Sequence, residues 1–225
     1  MNVSVRSIVL VRHARSIANV DPNIYRLTPD HVIPLVDAEA DPGAVDVGAR
    51  IARLELDPAR VCAWSSTYLR CAQTQEIVLA RAFGAAAAEV HRRESFLLRE
   101  QEFGDWDGLT DAEMKERDPE RWEKRRRMSD LSGRFYFRCP NGESRADVAQ
   151  RLAVFIGKVH RSRFEHHLVF LHGVTQRAFR MAWLNLSPAW FEKEPNPPNA
   201  SALLLRRDSE EGYWGESWLA PTDAA

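Results

Sequence analysis

Three features of this 225-residue chain predict an α/β fold. Short β-branched and leucine runs alternate with longer segments of helical spacing. The three strongest runs each end abruptly in polar residues, as strands do at the functional edge of an open α/β sheet. Loops rich in Pro, Gly and Asp separate the elements, and the length suits one sizeable core.

Taken in order, residues 7–11 read as a buried strand ending in Arg12-His13-Ala14-Arg15-Ser16. Residues 21–42 form a Pro- and Asp-rich loop, and Val47, Ile51 and Leu54 give helical spacing to 44–56. A second strand is expected over 61–64. Ser66 or Thr67 then caps a helix to about Phe83, which the alanine-rich stretch to Ala88 closes. Residues 94–110 read as a loop around Gly104 and Gly108, followed by a polar helix over 111–127 and a turn at Cys139-Pro140-Asn141-Gly142. Val148, Leu152, Phe155, Ile156 and Val159 share one side of a helix over 143–163. A third strand over 168–171 ends at His172-Gly173 and leads into a helix over 174–183. Residues 202–205 form another strand and 213–219 a short edge strand.

The formal net charge is −1, so nothing points to nucleic acid or an anionic membrane as a partner. Positive potential has to come from arginines clustered at one place. The three widely spaced cysteines, Cys62, Cys71 and Cys139, make neither a disulfide framework nor a zinc site. They suit a reducing compartment. No apolar run approaches the ~18 residues of a membrane span, and the apolar stretch 8–11 is too short for a signal-peptide core. The expectation is a cytoplasmic protein, either monomer or homodimer.

Four places could carry chemistry: Arg12-His13, Arg70, Glu100 and His172-Gly173. Singly, each reads as a structural or solvated residue. If the three strands are neighbours, two histidines and two arginines meet at one sheet edge. Guanidinium forks match phosphoryl oxygens. A neutral histidine could attack phosphorus, and a carboxylic acid could protonate the leaving alkoxide and then activate water.

The residues also resemble a family. Val11-Arg12-His13-Ala14-Arg15-Ser16-Ile17-Ala18-Asn19 is similar to the nucleophile signature of the histidine phosphatase superfamily, the phosphoglycerate-mutase-like enzymes. Four further blocks follow in the family's order: 65–74 around Arg70, 98–108 around Glu100, Pro140-Asn141-Gly142-Glu143-Ser144, and His172-Gly173. The resemblance implies a three-layer α/β/α sandwich with a mostly parallel central sheet and helices on both faces. It implies one domain over 1–225, with a variable loop and helical insertion at about 94–140. It also implies a phosphatase with no metal and no organic cofactor, acting on a small phosphorylated substrate or a phosphoprotein. His13 would be the phosphorylated nucleophile and Glu100 the proton donor. Arg12, Arg70 and His172 would form the phosphate pocket, with Asn19, Gly173 and Arg15 as further phosphate-binding candidates. Residues 99–104, 135–144 and the Thr28-Pro29-Asp30-His31 stretch look most like a broad-specificity acid-phosphatase branch.

The chain departs from the pattern in places. Ala14 stands where the family has glycine, which is strained if that position needs a positive φ. Arg15 adds a cation that either faces substrate or points outward. The Leu35 to Gly48 region is degraded, so altered packing is expected there. His31 could close over the pocket, whereas His91, His160, His166 and His167 read as surface residues. The tryptophans read as core or helix-packing residues, and Trp106 could line the cleft and act on Glu100.

Three other readings compete. A mutase would use Arg125-Arg126-Arg127 for a second phosphate, unless that run is a solvated helix end. A cysteine phosphatase would use Cys139 in its Cys-x5-Arg frame. A non-catalytic relative would only bind phospho-ligands.

Overall fold

The computed structural model describes residues 4–207 and 214–221. Six strands form one sheet: β1 (Ser7–Arg12), β2 (Val61–Ser65), β3 (His91–Glu94), β4 (His166–Leu171), β5 (Ala202–Arg207) and β6 (Trp214–Trp218). Their order is β3-β2-β4-β1-β5-β6. The β3-β2, β2-β4 and β4-β1 pairs are parallel, and the β1-β5 and β5-β6 pairs antiparallel. Nine helices connect them: α1 (Ile17–Val20), α2 (Ile24–Leu27), α3 (Pro42–Ala52), α4 (Leu69–Phe83), α5 (Asp111–Arg117), α6 (Pro119–Ser132), α7 (Arg145–His160), α8 (Gly173–Trp183) and α9 (Pro188–Lys193), counted among the described residues.

The period-2 alternation of the strands divides the core into two layers. Ile8, Leu10, Trp64, Val169, Leu171, Leu203 and Leu205 face α7, α8 and α9. Val9, Val11, Ala63, Leu168, Phe170, Ala202 and Leu204 face α3 and α4. Both faces are covered, so the central strands read as near-continuous apolar runs. The architecture is the expected three-layer sandwich. Arg180 of α8 ties the C-terminal elements down: it is almost fully buried and pairs with Glu194 and with Glu216 of β6.

Several boundaries differ from the sequence reading, each for a local reason. β3 was not anticipated, because His91-Arg92-Arg93-Glu94 has no apolar alternation; it is a short, charged edge strand. The helix over 111–127 is two helices, because Asp118-Pro119 ends one and starts the next. The cap of α4 is Tyr68 rather than Ser66 or Thr67. Helix α7 begins at Arg145, after a Ser144–Asp147 capping box. Helix α9, also unanticipated, carries a Ser187 cap with Pro188 behind it. The edge strand β6 is as expected over Trp214–Trp218, while Tyr213 lies outside the described residues. Gly104 has φ +58, and a side chain there would lie 2.0 Å from the Pro140 carbonyl oxygen, so only glycine lets these two loops touch.

Reading His166 and His167 as surface residues was wrong. Both lie in β4, where His166 bonds Ser7, and His167 is fully buried, its Nδ1 accepting from the Trp64 indole at 3.1 Å. Burial lowers His167 to about 4. The unfolded chain gains this proton near pH 6.5 and the folded chain only near 4, so stability falls as pH drops through that window. About 2 kcal/mol should be lost between pH 7 and 5 through this residue. Urea titrations at both values should show a smaller loss in His167→Gln.

Candidate active site

The backbone ladder assembles the site. β4 lies between β2 and β1, with Ser65 opposite Phe170 and Arg12 opposite Leu171. The ladder continues one step beyond, with the His13 amide donating to Leu171 O and the Ser66 amide to Phe170 O, both at 3.0 Å. His13, Ser66 and His172 therefore emerge side by side at the carboxyl ends of parallel strands. The two imidazole centroids are 5.2 Å apart, edge to face.

Both histidines are almost completely buried. His13 Nδ1 lies 2.7 Å from the Ala14 carbonyl, so it carries the proton and leaves the Nε2 lone pair available. Burial, then Arg70 and Arg12, hold His13 well below the usual imidazole range. His172 is lowered for the same reasons, with His13 itself contributing. Its Nε2 lies 3.0 Å from Ser66 Oγ. Two neutral imidazoles thus face two guanidiniums.

Arg70 starts α4 and is 1% exposed. Its Nη1 donates to the Asp30 carbonyl at 2.7 Å and to Asp30 Oδ1 at 2.8 Å, and its Nη2 to Oδ2 at 3.2 Å. Burial opposes its charge, but Asp30 holds the guanidinium above its ordinary value. Arg12, at the end of β1, donates to Pro197 O and has no partner for its buried Nε. Burial lowers it, and Glu100 opposes that shift.

Glu100 is held at the start of α8. One carboxylate oxygen accepts from Thr175 Oγ1 at 3.1 Å and from the Gln101 amide at 3.0 Å, and the other accepts from the Val174 amide at 3.2 Å. It acts on Arg12, Asp30, Tyr25 and Cys71, so it belongs to the same charge cluster. Asn19 accepts at its carbonyl oxygen from Ser16 and Asn199, and its amide hydrogens have no partner among the described residues. Gly173 is buried, and a Cβ there would lie 3.1 Å from Asn196 Oδ1 and 3.5 Å from the Arg12 guanidinium carbon.

Some candidates fall elsewhere. Arg15 is exposed, and the cations acting on His13 are Arg70 and Arg12, so Arg15 reads as outward-facing. Ala14 is not among the positive-φ residues, so it replaces glycine without strain. Trp106 stacks on Phe137 at 5.5 Å beside Arg125 rather than joining the donors around Glu100. His31 is exposed; it is Asp30 that brings its loop to the pocket. The Arg125-Arg126-Arg127 run lies inside α6 rather than at a helix end: Arg126 is exposed and pairs with Glu123 and Asp130, Arg127 is exposed and pairs with Glu123, and Arg125 is mostly buried over Trp122 and pairs with Asp111. Cys139 is buried and its thiol raised by burial, while Arg145 pairs with Glu192, so the Cys-x5-Arg frame makes no phosphate cradle. Cys139→Ser should keep full activity in a phosphate-release assay.

Sequence reasoning missed the backing of His13. Asn199 donates to His13 O at 3.1 Å, Ala14 O at 3.4 Å and Asn19 Oδ1 at 3.1 Å. The Ala200 amide also donates to His13 O, from a residue at φ +51. Such strain persists only where surrounding structure imposes it. The signal was the Asn196-Pro197-Pro198-Asn199 run, which rigidifies a loop before β5. Asn199→Ala should lower kcat about tenfold to 100-fold through loss of positioning, with a smaller change in KM.

Residues 8–217 match the model of the histidine phosphatase superfamily, branch 1. The chain is 33% identical over 231 residues to the phosphoglycerate mutase-like protein AT74 of Arabidopsis thaliana, covering 96% of this chain and 68% of that one. It is 32% identical over 121 residues to the broad-range acid phosphatase DET1 of Saccharomyces cerevisiae, covering 49% of this chain and 33% of that one. The solved structure of a mycobacterial glucosyl-3-phosphoglycerate phosphatase with VO3 shares the fold at a TM-score of 0.71 and 24% identity, over 96% of this chain and 99% of that one. The strand-end histidines, the match over nearly the whole chain and the shared fold agree: this protein belongs to branch 1 of the histidine phosphatase superfamily.

Proposed function

We propose that the protein hydrolyses phosphate monoesters through a phosphohistidine on His13. One observation carries this: a buried, neutral imidazole whose Nδ1 is tied to a carbonyl and whose Nε2 is free, set against a second histidine and two arginines. Nε2 attacks phosphorus and the bond to the ester oxygen breaks. The leaving oxygen takes a proton from Glu100, which sits in the same charge cluster. Glu100 then removes a proton from water, which attacks phosphorus, breaks the P–N bond and releases inorganic phosphate. Arg12, Arg70 and His172 would carry the charge on the equatorial oxygens, and the free amide hydrogens of Asn19 suit the same role.

The ion-paired state of Arg125, Arg126 and Arg127 favours a phosphatase over a mutase, since no spare cations stand there for a second phosphate. Small phosphorylated metabolites and phosphoprotein side chains both fit the shared chemistry. No cluster of metal-ligating side chains occurs among the described residues, and no described helix is long and apolar enough to cross a membrane. The test is phosphate release from a generic aryl phosphate in the presence of a chelator, with and without a bisphosphorylated primer. Release unaffected by either supports the proposal. Loss of activity in chelator, or activity only with primer, contradicts it.

A further inference from the structure

The pocket arginine is already half engaged by a carboxylate from its own chain. Asp30 takes both terminal nitrogens of Arg70, and its backbone carbonyl takes the other Nη1 hydrogen. A guanidinium has five donors in a fixed fork. Two are used on the end-on edge by the carboxylate, and a third, the other Nη1 hydrogen, by the Asp30 carbonyl. The Nε hydrogen, buried and unpartnered, and the second Nη2 hydrogen remain on the side edge.

The Asp30 segment is built to stay in place. Ser16 bridges Leu35, the Leu35 amide donates to Gln73 of α4 at 2.9 Å, and Ile33 and Leu35 are buried. This loop is anchored on the same helix that carries Arg70. The ion pair is therefore a fixed feature of the pocket rather than an incidental surface contact.

We propose that Asp30 is a positioning residue that tunes phosphate affinity. It turns the side edge of Arg70 toward the phosphate and cancels part of the pocket's positive charge, so that product phosphate leaves readily. This rests on the phosphatase reading above. Without Asp30, Arg70 would lose its paired carboxylate and keep only the more distant acids Glu100, Glu102 and Asp107 near it, and a bound dianion would be retained. Burial raises Asp30 above the usual carboxylate range, with Glu100 and Glu102 adding to the shift and Arg70 opposing it. Tyr25, Tyr68, Cys71 and Asp107 also face it electrostatically. Protonation on the acid side would therefore remove the same charge that a neutral variant removes.

The experiment compares wild type with Asp30→Asn and Asp30→Ala, using inorganic phosphate as the inhibitor. Asp30→Asn keeps one oxygen for Arg70 and loses the charge together with the second acceptor. Its inhibition constant for phosphate should fall about tenfold, with kcat falling because release slows. The ratio between the two proteins should shrink toward acid pH, where wild type also loses the charge. Asp30→Ala also frees Arg70, so it should lose kcat further, with only partial return on adding an exogenous carboxylate. An unchanged phosphate inhibition constant in Asp30→Asn overturns the proposal, as does a ratio that does not vary with pH. If instead wild type is not inhibited by phosphate and His13→Ala remains active, it is the phosphatase reading that fails.

Discussion

Replacing His13 with alanine should lower kcat at least about 1,000-fold, because it removes the imidazole whose Nε2 has no partner among the described residues. His172 is the nearest alternative, but its Nε2 is engaged with Ser66 and its ring is fixed against Tyr68 at 5.0 Å. The fold should survive, since β1 and its ladder are set by backbone bonds and by Ile8, Leu10, Val9 and Val11. Phosphate release and thermal unfolding measured on the same preparation separate the two effects. The neutral state of His13 also fixes the pH dependence. His13 lies well below the ordinary imidazole range, so the imidazole is unprotonated at neutral pH. Activity should not fall on the acid side at the usual histidine value of about 6.5. A kcat/KM profile with a limb at that value would contradict this electrostatic reading.

Arg70→Ala should cost about 100- to 1,000-fold in kcat/KM, as expected for losing a preorganised charged donor in a water-poor site. It should also destabilise the fold. Asp30 would be left partly buried with no guanidinium, next to Glu100 and Glu102. Breaking such a pair from one side costs more than the pair contributes, about 3 kcal/mol or more. Arg70→Lys should restore little activity, because an ammonium cannot serve Asp30 and phosphate through two planar edges. The second removal, Asp30→Asn with Arg70→Ala, should recover stability but not activity. Chemical denaturation alongside kinetics checks both halves.

The legibility of the sequence followed burial. The central strands could be read because both their faces are covered and apolar residues run on without interruption. Strand β3 could not, because an edge strand of His, Arg and Glu owes its shape to its neighbour rather than to its own pattern. His13, Arg70 and His172 were visible as strand-end or helix-start residues, and Glu100 as a loop carboxylate, with one shared chemistry. Asp30 and Asn199 were not. Each acts by holding another residue across a long separation in the chain, and no local spacing records that. His167 misled for a related reason: a polar residue at a strand start reads as surface until its tryptophan partner across the sheet is known.

The proposed phosphohistidine requires a covalent bond between phosphorus and His13. The direct measurement is to mix enzyme with a phosphate-labelled aryl ester, quench in alkali, and locate the label by peptide mass. Label on the peptide carrying His13, absent from His13→Ala and accumulating in Glu100→Gln, is the predicted result. Full turnover with His13 never labelled would contradict the account.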